Sequence, residues 1–241
     1  MNMDYEEFTN VASRERELEM SAAFPVLMRK AYLWMTLALV ITGFTAYYVA
    51  SSETLLTAIV TNQILFWGLL IAEIGLVIGL SAAINKLSLT TATLMFVLYS
   101  VINGATMSFI FLVYTASSIT NVFFITAGTF AVMALFGYFT KTDLTSLGKI
   151  LVMALIGIII ATIVNIFTKS AGFAMILNYL GVLVFVGLIA YDSQKIKHML
   201  LAAPDAGEGA QKVALLGALS LYLDFINLFI YLLRIFGSRR D

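Results

Sequence analysis

The 241 residues are 61% hydrophobic and only 12% charged, with a mean hydropathy of +0.97, as expected of an integral membrane protein and not of a soluble domain. The formal net charge is zero, so there is no broad basic field to attract nucleic acid. Cysteine is absent and histidine occurs once, which excludes disulfides, thiolate metal sites, cysteine nucleophiles and His-rich metal centres.

Residues 1–25 mix acids and bases without an apolar stretch, unlike a cleaved signal peptide, and are expected to form a polar cytoplasmic tail or a short interfacial helix. Residues 26–241 are expected to form one all-α domain, a polytopic bundle of seven transmembrane helices. The first span is placed at 31–50, with Arg29 and Lys30 before it and Tyr32, Trp34, Tyr47 and Tyr48 suited to the two interfaces. A connector leads to a second span at 63–83, which carries Glu73 near its centre. A third, at 91–114, holds the small residues around Asn103, Gly104, Ala105 and Thr106, which let helix backbones approach closely. Spans four to seven are placed at 121–139, 150–167, 173–191 and 213–236. Short connections argue for one compact bundle.

Ten of the fourteen Lys and Arg residues fall on one side if the tail is cytoplasmic, which predicts the N-terminus inside and the C-terminus outside. Arg239 and Arg240 would suit the cytoplasm better. An even number of spans, with one segment re-entrant, would put both ends inside.

The seventh span, VALLGALSLYLDFINLFIYLLRIF, is long enough to cross a bilayer yet contains Asp224 near its middle. A charge at that depth costs at least about 2.5–3.5 kcal/mol on insertion scales, so it is expected to face protein, a partner or water. At 100° per residue, Ser220, Asp224, Asn227, Tyr231 and Arg234 form one polar stripe on an otherwise apolar rod. Ser220 and Asn227 serve equally well as hydrogen-bonding residues between helices. Asp224 is the leading functional candidate, since an amide would join helices without the burial penalty.

Asp192 stands at or near the cytoplasmic end of span six. It either pairs with Lys195 at i+3 as an ordinary surface ion pair, or meets Asp224 across antiparallel helices six and seven. Asp224 lies roughly 17 Å in from Val213, so a meeting requires helix six to continue through KIKHMLLAA until Pro204 stops it. Two carboxyls in contact in a poorly solvated site cannot both ionise cheaply, so they share a proton. Loss of that proton would leave two repelling charges able to part the helices, and oxygens that favour a hard cation such as Ca²⁺.

At AYDSQKIKHM and LGALSLYLDFINLFIYLLRIFG the chain resembles the Bax inhibitor-1 family, in particular its bacterial branch, over nearly all of the membrane region. The resemblance implies a seven-helix bundle with the last helix central and a pH-dependent calcium leak. It also implies a sensor of two aspartates, here Asp192 and Asp224, with transient Ca²⁺ contacts and no cofactor. Glu73 and Arg234 fall where family members carry polar residues within the membrane. With Lys86 as a further possible counter-charge and Asn227 from the polar stripe, the pore or counter-charge candidates are Glu73, Lys86, Asn227 and Arg234. Bacterial relatives are also linked to membrane-protein quality control through a membrane-anchored protease, and the implied location is the inner membrane.

The leading reading is thus a proton-regulated Ca²⁺ channel or leak and not an enzyme. A second is an interaction protein that regulates a membrane-anchored protease without transporting anything. A third is an intramembrane aspartyl protease, which would also place acids on helices six and seven. Tyr191-Asp192 fits such an enzyme, but bulky Leu221-Tyr222-Leu223 stands where a glycine would give access to a substrate backbone. No HExxH, GxSxG or Walker loop is present, and the seventh span lacks the lysine that a retinal pigment needs.

Overall fold

A computed structural model describes residues 5–240, with side chains for Arg14 and for residues 18–240. Residues 1–4 of the expected tail, most tail side chains up to residue 17, and Asp241 lie outside the described residues. Helices run over Tyr5–Ser51 (α1), Glu53–Thr61 (α2), Gln63–Ala83 (α3), Leu89–Met107 (α4), Ile110–Val113 (α5), Ala116–Phe139 (α6), Thr145–Thr168 (α7), Ala171–Leu201 (α8) and Glu208–Phe236 (α9). Seven of the segments are long and apolar enough to cross a membrane, with the α4–α5 stretch counting as one. This is an all-α polytopic bundle.

The second span has the bounds expected from hydropathy; the others are longer or interrupted. α1 starts well before Ala31 because the tail is rich in good helix formers and continues into the span. Pro25 sits inside it, removing the donor that would reach the Ser21 carbonyl. The connector after α1 is itself helical: Ser52 accepts from Leu55 N to start α2, and Asn62 accepts from Leu65 N to start α3. The third span breaks at Ser108, whose hydroxyl and amide both turn back to the Ala105 carbonyl.

α9 is central. It packs against α1, α4, α6 and α8, and Leu221, Tyr222 and Leu228 on it are fully buried. α3 and α7 lie at the periphery and leave most of their apolar side chains exposed, as lipid-facing helices do. α1 and α4 come close at Gly104, where a Cβ would stand 2.6 Å from the Thr42 carbonyl oxygen. The small residues of the third span therefore do what their sizes suggested.

With seven spans, the α3–α4, α6–α7 and α8–α9 turns share one face with the start of the first span, here the N-terminal face. The C-terminus lies on the opposite face. There Thr115 N donates to Ser238 O (3.1 Å), Arg240 N donates to Val113 O (2.9 Å), and the Arg240 guanidinium donates to Phe111 O (3.1 Å). Among the described residues, this gives Arg240 a role as a cap for the carbonyl end of α5.

Candidate functional site

α8 is the element that builds the site. Its last three turns are written in polar letters, yet the helix runs unbroken to Leu201, three residues before Pro204. The reason is that successive polar side chains each find a partner. Ser193 Oγ lies 3.1 Å from the Tyr32 hydroxyl on α1. Buried Gln194 accepts from Leu144 N and donates to Thr142 O, both at 2.8 Å, pinning the α6–α7 turn to α8. Lys197 donates to Tyr138 O (2.8 Å) and stands over that ring. A helix fixed on three sides has little freedom to turn its fourth, which carries Asp192.

That fourth side meets α9. The two helices run antiparallel, with Gly181 opposite Tyr231 and Asp192 opposite Asp224. A Cβ at Gly181 would lie 2.5 Å from the Tyr231 ring, so glycine lets the helices close there. The carboxyl groups of Asp192 and Asp224 are in hydrogen-bonding contact. Asp224 is 6% exposed, whereas Asp192 is half-buried and faces a cleft of about 200 Å³ on the N-terminal face. Ser81, Lys195, Met199, Gly217 and Ser220 also line it. The cleft wall thus comes from α3, α8 and α9; Asp192 lines it, and Asp224 lies behind Asp192 and does not.

Asp224 Oδ2 is buried and receives no hydrogen bond from a donor among the described residues. A buried carboxylate oxygen without a donor is costly.

The other candidates are not gathered here. Arg234 is exposed, stacks over Tyr231 at 5.8 Å, and is ten residues or ~15 Å from Asp224 along α9. Lys86 is exposed in the turn after α3 and does not line the cleft. The cation that the structure places beside the acids is Lys195, which lines the cleft and acts electrostatically on both. It forms no ion pair within 4 Å among the described residues, and lies 5.8 Å from the centre of the Tyr191 ring. Its i+3 spacing from Asp192 was the available signal, but that spacing also describes a surface pair. Asn227 donates to Leu223 O (2.8 Å), a bond within its own helix.

Glu73 belongs to a second polar network on another side of α9. It accepts from Thr106 Oγ1 and from Asn103 Nδ2 (3.3 Å); Asn103 Oδ1 accepts from the Tyr222 hydroxyl (2.9 Å), which in turn lies 2.6 Å from Thr42 Oγ1. The chain joins α1, α3, α4 and α9. Thr42 Oγ1 also donates to Ser100 O (2.9 Å), which ties the α1 end of the chain to the α4 backbone. The sequence suggested neither Tyr222 nor Thr42, because a buried hydroxyl carries no signal until its partner is known.

No group of three or more His, Cys, Asp or Glu side chains able to hold a metal occurs among the described residues. A resident Ca²⁺ takes six to eight oxygens.

The family model described as "Inhibitor of apoptosis-promoting Bax1" matches residues 25–241. The inner membrane protein YbhL of Escherichia coli (strain K12) is 49% identical over 221 residues, covering 91% of this chain and 94% of that protein. An uncharacterized protein of Borreliella burgdorferi is 44% identical over 214 residues, 89% of this chain and 92% of its own length. The uncharacterized protein RP147 of Rickettsia prowazekii is 41% identical over 216 residues, covering 89% and 90%.

Proposed function

This chain belongs to the Bax inhibitor-1 family of membrane proteins, and from that premise we propose that it is a pH-sensitive Ca²⁺ leak gated by one proton shared between Asp192 and Asp224. The observation that carries the reading is the contact between these carboxyls behind an open cleft that Asp192 lines, with no other donor to Asp224 Oδ2 among the described residues.

The proton acts as a clasp. While it is present, one carboxyl donates to the other, the pair carries a single negative charge, and α8 stays against α9. When it leaves, two carboxylates face each other in a poorly hydrated site, and their repulsion favours separation of the helices. Asp192 is the point of entry, since it faces the cleft and Asp224 lies behind it. Lys195 offsets part of the pair's charge from the cleft wall. Ca²⁺ is the permeant ion: it is drawn to the exposed carboxylates and replaces the lost proton as their partner. Glu73, with Asn103 and Thr106, is a second polar station in the membrane, on the α3–α4 side of α9.

The location proposed is a bacterial inner membrane, with the N-terminal face cytoplasmic, as the Lys and Arg distribution favours. The sign of the pH response follows from the clasp. The closed form holds the proton and prevails on the acid side, so flux rises as pH rises through the titration of the pair. Ca²⁺ entry into dye-loaded proteoliposomes, measured from acid to mildly alkaline pH with no imposed proton gradient, should show this rise. A folded protein that passes no Ca²⁺ at any pH would refute the leak and favour regulation of a membrane-anchored protease.

A further inference from the structure

The first span's apolar run begins at Ala31 and α6 ends at Phe139, so Arg29 and Lys141 each stand two residues outside an apolar rod. Both are therefore at headgroup level on the N-terminal face. Between α1 and α6 at this level lies a cleft of about 400 Å³. Arg29 and Tyr32 line it from α1, and Leu135, Tyr138 and Phe139 line it from α6, with Leu33 completing its apolar part. The stacked rings of Phe24 and Tyr138, 6.1 Å apart, bound it on the side of the tail.

Among the described residues, the charge that lines this cleft is basic. Arg29 is exposed and makes no hydrogen bond or ion pair among the described residues; Lys141 is likewise exposed and unpaired. Lys197 approaches Tyr138 from α8. The neighbouring acid, Asp143, accepts from Thr145 N at 2.8 Å, an interaction with the start of α7. A cation over an apolar groove that opens to the bilayer matches a phosphate on top of an acyl chain.

We propose that the α1–α6 cleft is a binding site for one anionic phospholipid, its phosphate on Arg29 and its acyl chain along Leu33, Leu135 and Phe139. A zwitterionic lipid fits less well, because its own ammonium would be set against Lys141 and Lys197. The occupied site would hold α1 to α6 and so brace, through Tyr32 and Ser193, the segment of α8 that bears Asp192.

Native mass spectrometry of the full chain, titrated with phosphatidylglycerol or with phosphatidylcholine of the same acyl chains, tests this. The first phosphatidylglycerol should bind at least about fivefold more tightly than the first phosphatidylcholine. Arg29→Gln should weaken that first event by about fivefold, the value of one basic group at an anionic lipid surface. Lys86→Gln, which removes a cation in the α3–α4 turn of the same face, should leave it unchanged. Leu135→Trp, which fills the groove without touching charge, should also weaken it. Equal affinity for the two lipids, or an Arg29→Gln effect no larger than that of Lys86→Gln, would overturn the proposal.

Discussion

Asp224→Asn should give a folded protein whose Ca²⁺ flux no longer responds to pH and stays at the low, acid-side level. The amide has the shape of the carboxyl and carries its own hydrogens, so it can donate to Asp192 at every pH as the shared proton does only when bound. Asp192 can then ionise without meeting a second charge, and nothing drives α8 from α9. For the native pair the open fraction changes by at most about tenfold per pH unit, the limit for one proton. The variant profile should be flat across the same range. Proteoliposome flux measured side by side decides this, and an unchanged pH profile in Asp224→Asn would remove the pair from the gate.

Gly137→Ala should cost more stability than any other single methyl addition on α6. A Cβ at Gly137 would run into the backbone of Ala190 on α8, at its O, C and Cα atoms, and backbone has no rotamer through which to yield. Overpacking of this kind costs about 1–3 kcal/mol or more. Gly128 on the same helix has open space at its Cβ position, so Gly128→Ala should be neutral or slightly stabilising. Ala190 lies two residues before Asp192, so the displaced helix would also carry the acid away from Asp224. Thermal unfolding of the two variants in one detergent separates them; equal midpoints would mean that α6 and α8 do not approach as closely as described.

Much of this architecture could be read from hydropathy alone, because a lipid-facing helix has nothing to hide. α3 is the clearest case: its residues are apolar nearly throughout, and its ends fall at Gln63 and Ala83 as expected. Hydropathy falls short where a helix leaves the apolar layer but keeps its hydrogen bonds. α8 runs ten residues past Tyr191, the continuation that a meeting of Asp192 with Asp224 required, and Ser193, Gln194 and Lys197, each held by a neighbouring element, make it possible. α1 grows backward into the charged tail through local helix preference and through packing near its junction with the span, where Met20 is buried and Phe24 stacks on Tyr138.

The site was legible in outline for a different reason. A carboxylate in the middle of an apolar span is expensive enough to demand a partner, and helix length fixed the depth at which a partner had to stand. Asp192 was the acid that could reach it. The identity of the nearby cation was not legible: Arg234 shares the polar stripe of α9 but points out near its far end, while Lys195 enters the cleft only because α8 continues. The Thr42–Tyr222–Asn103–Glu73 chain draws on four helices and thus appears only after they are packed.

The shared proton itself can be observed by infrared spectroscopy of the protonated-carboxyl stretch in the reconstituted protein at neutral pH. If one proton bridges the pair, a band is present in the native chain and is lost in both Asp192→Asn and Asp224→Asn, whichever partner is replaced. A band that survives unchanged in either variant would place the proton elsewhere and contradict the clasp.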